Sequence, residues 1–291
     1  MNFQLLAQHL HETANEAKSY FATKHGAKQF KAEVPLAEVT SLRPTLSGQL
    51  GDRSLICIEV SESAYSASLD TFVVDCSTKS LPVKLYVAIP DARGDPDFSN
   101  NLKRAKARGV GIVEIKNPAP ILLQDAVSLS LFGVRPIDLK AYAAGRKDAL
   151  RQAEATFRNG NPVKGCQSVC EELEALTRAF AKRTKAEGWW KTPAPGSAKP
   201  PAVNLDTGPW AKVLEALAAS LDVTSARKKC PAFSLGLITK ARALTDIRNM
   251  TSHRPASLRE LIQRDTKLRT AFENACDVLA DWSTATKPLK I

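Results

Sequence analysis

The chain changes its hydrophobic period halfway along, and this change limits the folds that it can adopt. In the first half, near-continuous apolar runs lie at 54–60, 83–89 and 110–115. Such runs are typical of strands buried on both faces of a sheet. In the second half, apolar residues recur every three or four positions, which indicates amphipathic helices. The sequence therefore predicts an α+β protein with two domains, 1–135 and 136–291.

The first domain is predicted to form a mixed sheet flanked by helices, because its strands alternate with helical segments. The apolar/polar alternation of AVSLSLF, 126–132, predicts one further, half-exposed strand. Shorter strands are expected at 28–34 and 42–47, and helices at the N-terminus, at about 65–78, and at 98–109, where Gly109 ends the helix.

The second domain is predicted to be an all-α bundle. Its longest helix carries a single apolar stripe from Val163 to Phe180, with Glu174 and Arg178 as an i,i+4 ion pair on its side. SLRE at 257–260 is a capping box that starts the last helix. The other helices are expected at about 136–158, 209–221 and 234–253, and the last at 257–282.

The positive charge lies almost entirely in the second half. Residues 1–145 carry 16 Lys+Arg and 15 Asp+Glu, whereas residues 146–291 carry 25 and 15. The net charge of +11 therefore divides into +1 and +10. A basic excess confined to one half predicts a polyanionic partner for that half, and nucleic acid is the leading candidate.

The remaining composition is typical of a cytoplasmic protein without a cofactor. The six cysteines are scattered and form no CxxC pair, which favours reduced thiols over a zinc site. The N-terminus lacks the basic start and apolar run of a signal peptide. No apolar stretch reaches 18 residues, so no membrane partner is expected.

LTDIRNMTSHRPAS, 244–257, combines residue types that suit cleavage of RNA. Arg248 continues an apolar stripe, where a charge needs a partner. His253 precedes Pro255 by two residues, so the helix is expected to end near it. An imidazole can move the proton of a 2′-hydroxyl or protonate the leaving oxygen, and a guanidinium can stabilise the phosphate charge. The alternative interpretation is a helix end that is merely polar.

RNMTSH, 248–253, resembles the R-N-x-x-x-H signature of the HEPN superfamily, helical-bundle proteins that include many RNases of toxin–antitoxin and anti-phage systems. The similarity covers about 137–285. It implies a metal-independent endoribonuclease with Arg248 and His253 as catalytic residues and Asn249 in support. Its expected partners are RNA, an antitoxin or regulatory protein, and a second copy in a homodimer. A non-catalytic binding protein is the alternative. Further RNA contacts are predicted for Ser252, Arg254 and Lys240.

The first domain resembles the restriction-endonuclease-like, or PD-(D/E)XK, fold. RPT at 43–45 stands where R-P-D is expected, and IEVS at 58–61 stands where an acid-x-Lys triplet is expected. Glu59 remains, but Thr45 replaces the Asp and Ser61 replaces the Lys. The resemblance thus implies an inactive nuclease core, or alternatively a metal-dependent DNase that uses Glu59 with Asp52. Other compensating residues would be Glu62, Lys84 and Lys31.

Overall fold

The computed structural model describes residues 1–36, 39, 41–116, 119–142, 144–191, 202–249 and 255–291. They form a mixed α/β structure, with a six-stranded sheet in the N-terminal half and helices in the C-terminal half. The chain divides into two compact units. Of the described residues, unit 1 contains Met1–Val134, Arg158–Gly160 and 255–267, and unit 2 contains Arg135–Phe157, 161–249 and Leu268–Ile291.

The regular elements follow one another in an order that places every strand before the longer helices of the second half. The strands are β1 Lys28–Ala32, β2 Leu46–Gln49, β3 Leu55–Val60, β4 Val83–Ile89, β5 Gly111–Glu114 and β6 Ile121–Gln124. The helices are α1 His11–His25, α2 Ala67–Thr78, α3 Phe98–Ala107, α4 Leu129–Phe132, α5 Ala144–Arg158, α6 Pro162–Ala186, α7 Trp210–Ser220, α8 Val223–Lys229, α9 Leu235–Arg242, α10 Thr245–Arg248 and α11 Leu258–Thr286.

The sheet of unit 1 has the strand order β1-β2-β3-β4-β5-β6. The first three strands are antiparallel neighbours, and β5 and β6 are also antiparallel. The pairs β3–β4 and β4–β5 are parallel, with Leu55 opposite Val83 and Tyr86 opposite Gly111. Parallel neighbours need a crossover connection, which α2 and α3 provide. The predicted mixed sheet with flanking helices is confirmed.

The central strand β4 is buried on both sides, as its apolar run predicted. Val83, Leu85 and Val87 pack into a core with α2, whereas Tyr86 and Ala88 pack into a second core with α1. The alternation follows from the two-residue period of a strand. The sheet therefore has two hydrophobic cores, one on each face.

Two predicted strands of this unit are corrected. The strand expected at 42–47 begins only at Leu46, because Pro44 has no N–H to donate to a ladder. The strand expected at 126–132 is the short helix α4. Its Ser130 is as buried as Leu129 and Leu131, so the alternation of residue types does not mark an exposed face. One edge of the sheet is formed by β6, which has three consecutive exposed apolar residues and no alternation.

Unit 2 is built around α6. The predicted apolar stripe is confirmed, because its members Cys166, Val169, Cys170, Leu173, Leu176 and Phe180 are fully buried. Phe180 stacks on Phe233 at 4.8 Å between ring centroids, and the edge of Trp282 meets both rings. The helix expected from about residue 136 starts only at Ala144, and α8 was not predicted.

Close packing of α6 against α5 predicts opposite effects for two glycine substitutions. A Cβ at Gly165 would lie 2.6 Å from the Cβ and 2.9 Å from the backbone nitrogen of Phe157, whereas a Cβ at Gly145 would meet nothing within 4 Å. Alanine normally stabilises a helix by about 1 kcal/mol over glycine. Gly145→Ala should therefore raise stability, whereas at Gly165 overpacking, about 1–3 kcal/mol, dominates. Urea denaturation should give a lower midpoint for Gly165→Ala; an unchanged or higher midpoint would contradict this packing.

Candidate functional site

The helix predicted at 234–253 is broken into two short helices. Leu244 donates its N–H to Ala241 at 3.1 Å, an i to i−3 bond that ends α9, and α10 follows as a single turn from Thr245 to Arg248. The Thr245 hydroxyl bonds back to the carbonyl of Arg242 at 2.9 Å, a local contact that competes with regular helix. The predicted single helix is thus corrected, and Arg248 stands at a helix end.

The charge partner that Arg248 required is Glu174 on α6. The Arg248 Nε donates to Glu174 Oε2 at 3.3 Å, and its Nη2 lies 3.9 Å from Glu171 Oε1, beyond hydrogen-bond distance. Gln167 donates its side-chain amide to the Arg248 carbonyl at 3.5 Å. The side chain of Arg248 is 35% exposed and that of Glu174 is 19% exposed. Glu174 therefore orients a guanidinium that solvent still reaches.

Glu174 is itself held by a second arginine. Arg178 donates from Nε and Nη2 to Glu174 Oε1 at 3.0 and 2.6 Å, which confirms the predicted i,i+4 pair. Its other donors reach the carbonyls of Leu205 and Gly208 at 2.9 and 2.6 Å. Because Arg178 is only 14% exposed and bonds to backbone, its role is to fix the carboxylate. The shared carboxylate then presents Arg248 as the more accessible of the two cations.

Cys170, which interacts electrostatically with Arg248, does not provide a nucleophile. All six cysteines are free and buried. Burial raises the pKa of Cys170 to about 12, with Arg248 acting in the opposite direction and Glu171 in the same direction as burial. The thiol therefore stays protonated at neutral pH and offers no nucleophile.

The other predicted site residues of this half lie in different surroundings. Asn249 is exposed, directly after α10, and donates its N–H to the Asp246 carbonyl at 3.2 Å. Lys240 pairs with Asp281 of α11 at 2.9 Å. The structure thus brings Asn249 beside Arg248 and engages Lys240 elsewhere. Ser252, His253 and Arg254 lie outside the described residues.

Glu59 and Asp52, the two acids of the alternative metal-dependent site, do not lie together in unit 1. Glu59 accepts hydrogen bonds from the backbone N–H and the hydroxyl of Thr45, at 3.1 and 3.3 Å, so a donor stands where a metal-binding pair would have a second carboxylate. Burial raises the pKa of Glu59. Asp52 caps the turn before β3 by accepting from Ser54 N at 3.0 Å. Glu59 lies near the far end of that strand, roughly 13 Å beyond Leu55 at about 3.3 Å per residue.

Across the part of the chain that the structure describes, no group of three or more His, Cys, Asp or Glu side chains is placed to hold a metal ion. Within the same residues, no helix combines the length and apolar character needed to cross a membrane.

Sequence reasoning missed the role of Glu174 toward Arg248. It found Glu174 only as the partner of Arg178, because that pair is local, whereas Arg248 is 74 residues away. The available signal was the spacing of Glu171, Glu174 and Arg178, which puts three charges on one helix face.

No family model, no curated protein and no solved structure matches the chain.

Proposed function

We propose that the protein is a metal-independent endoribonuclease of a toxin–antitoxin or anti-phage defence system, acting in the cytoplasm. The observation that carries this proposal is Arg248, a guanidinium at a helix end that Glu174 orients and solvent still reaches. A guanidinium has five N–H donors, and among the described residues Glu174 accepts from one of those of Arg248, at Nε. The fork formed by its remaining donors suits a phosphate.

The chemistry assigns a separate role to each residue. Arg248 stabilises the charge that builds on the phosphate, and His253 transfers the proton of the 2′-hydroxyl or of the leaving oxygen. His253 is the only histidine after residue 25, so no other imidazole is available in the helical half. Asn249 supports phosphate binding beside Arg248. Glu174 is a positioning residue, since it acts through Arg248.

The same proposal includes a homodimer. One chain supplies one Arg248 to a cleavage site, and a two-fold interface at these helix ends would bring two copies into one cleft. Joining two basic halves would also extend the surface for an RNA backbone. Light scattering alongside a cleavage assay over a dilution series should show activity falling as the dimer dissociates. Full activity of a monomer at every concentration would exclude a shared site.

Unit 1 is proposed to be an inactive restriction-endonuclease-like domain that serves sensing, docking or scaffolding. The element order α1-β1-β2-β3-α2-β4 supports this family assignment, which otherwise depends on RPT and IEVS. The pairing of Glu59 with Thr45, rather than with a second acid, supports inactivity.

A non-catalytic RNA-binding protein is the second candidate, and the same ion pair favours it, because Glu174 partly neutralises Arg248. Incubating the pure protein with labelled RNA and labelled DNA, with and without EDTA, separates the possibilities. RNA cleavage in EDTA supports the proposal. Binding without cleavage supports the second candidate, and EDTA-sensitive DNA cleavage would redirect attention to unit 1.

A further inference from the structure

A polar stripe runs along α6 from the Arg248 site toward the C-terminal end of that helix. Its residues recur at intervals of three or four, which keeps them within about 80° of arc at about 100° per residue. The charged side chains of the stripe that lie nearest Arg248 form ion pairs. Glu174 pairs with both Arg178 and Arg248. The stripe consists of Gln167, Glu171, Glu174, Arg178, Lys182 and Lys185.

The far end of the stripe combines a cation with an aromatic ring. The Lys185 ammonium lies 5.7 Å from the ring centroid of Trp190, and the indole N–H donates to the Thr184 hydroxyl at 3.0 Å. Trp190 is half-buried, and its backbone forms an isolated bridge with Leu221. The ring is therefore anchored by hydrogen bonds while part of it reaches solvent.

Three further cations lie on α6, at the end of α8 and directly after Trp190. Arg183 and Lys229 share Glu187, at 2.7 and 3.6 Å, so one carboxylate serves two cations there. Lys191 lies 3.4 Å from Asp222 and is 64% exposed. These three cations face two carboxylates, and each keeps at least half of its side chain in solvent.

A shallow cleft lies beside the same end of α6. Lys182 and Lys185 line it together with Asn204, Leu205 and Asp206, and its volume is about 470 Å³. Asp206 pairs with Lys182, which leaves Lys185 as the cation on this wall that faces Trp190. Lys185 thus belongs to the polar stripe and to the wall of the cleft, and it also lies beside the aromatic ring.

We infer that this surface binds single-stranded RNA, with a base stacked on Trp190 and the backbone following α6 toward Arg248. Aromatic rings beside lysines are the two components that single-strand binding uses, and a duplex keeps its bases unavailable for such stacking. Glu174 and Lys185 are eleven residues apart, roughly 16 Å along the helix at about 1.5 Å per residue. The course of the RNA backbone toward Arg248 rests on the proposed function, whereas the binding of single-stranded RNA to this surface does not.

Binding should be measured with RNA that cannot be cut through its 2′-oxygen. The probe is a short fluorescein-labelled RNA with 2′-O-methyl riboses, used single-stranded and annealed to its complement, with fluorescence anisotropy as the readout. Trp190→Ala should raise the Kd for the single strand about fivefold to a hundredfold, the effect of losing one stacked base. Lys185→Gln should make the plot of log K against log salt shallower by about 0.7.

Two matched variants separate binding from folding. Trp190→Phe keeps an aromatic ring but loses the bond to Thr184, and it should bind nearly as well as the wild type. Lys212→Gln removes another exposed lysine, which lies on α7 and pairs with Glu215, and it should leave the Kd unchanged. Thermal melting establishes that each variant is folded.

The outcomes for binding and for cleavage are independent. Weaker single-strand binding by both Trp190→Ala and Lys185→Gln supports this surface even if the wild type cuts no RNA, in which case only the nuclease proposal fails. A wild type that binds the duplex more tightly, or that binds no RNA, would overturn the surface. An unchanged Kd in both variants would do the same even if RNA cleavage is found.

Discussion

Replacing Arg248 with alanine is expected to lower the rate of RNA cleavage by on the order of 10²–10³, the usual effect of removing one group that stabilises transition-state charge. The reason is geometric: Glu174 holds this guanidinium at a helix end with 35% of its side chain exposed. Single-turnover cleavage of a labelled RNA measures the effect without product release. Arg248→Lys should recover little of the rate, because an ammonium lacks the planar fork.

Arg242 offers a matched control for this prediction. It lies six residues earlier, is 59% exposed, and pairs with Glu215 of α7 at 2.8 Å, so it also joins two helices through an ion pair. Arg242→Ala should keep the wild-type cleavage rate and lose at most about 1 kcal/mol of stability, as expected of an exposed pair. Equal losses of rate in the two variants would indicate that Arg248 acts through folding. Circular dichroism of both variants should match that of the wild type.

Trp282→Ala is expected to lower the free energy of unfolding by about 3–5 kcal/mol, the range for truncating a large buried aromatic side chain. Trp282 is fully buried, meets Phe180 and Phe233 edge-on, and donates its indole N–H to the Leu237 carbonyl at 3.1 Å. It therefore links α6, α9 and α11, the first two of which lead to the Arg248 site. Urea denaturation followed by far-ultraviolet circular dichroism gives the value.

Trp282→Phe separates the contribution of aromatic packing from that of the indole hydrogen bond. Phenylalanine keeps an aromatic ring in the cluster but removes the hydrogen bond from the indole N–H to the Leu237 carbonyl, and one such bond contributes about 0.5–1.5 kcal/mol. We expect a smaller loss of stability than for alanine. A loss below about 1 kcal/mol in Trp282→Ala would mean that this cluster is not the centre of the unit 2 core.

The sequence predicted those parts of the fold that follow from local pattern. Strand β4 was found at its observed bounds because six of its seven residues are apolar and need burial on both faces of the sheet, and the α6 stripe was found because it repeats over many turns. The break between α9 and α10 was missed, because the apolar spacing continues across it through Leu244. Strand β6 was missed because its position depends on pairing with β5.

The candidate site, like the fold, could be predicted from the sequence only where it depends on local pattern. The need for a partner to Arg248 followed from its place in an apolar stripe, whereas the identity of that partner depended on how α10 packs against α6. The sequence feature that draws attention to Glu174 is its spacing from Arg178, which does not indicate its contact with Arg248. The roles of His253, Ser252 and Arg254 remain predictions, as do the family assignments.

In the proposed cleavage, RNA itself supplies the nucleophile and no metal is needed. In such a reaction the 2′-oxygen attacks phosphorus, the 5′-oxygen leaves with a proton, and a cyclic phosphate remains. The direct measurement compares a labelled RNA with the same RNA carrying 2′-deoxyribose, both incubated with the protein in excess EDTA. We predict that the RNA is cut to a cyclic-phosphate end and that the deoxy form stays intact. Cleavage of both substrates, or loss of RNA cleavage in EDTA, would contradict the account.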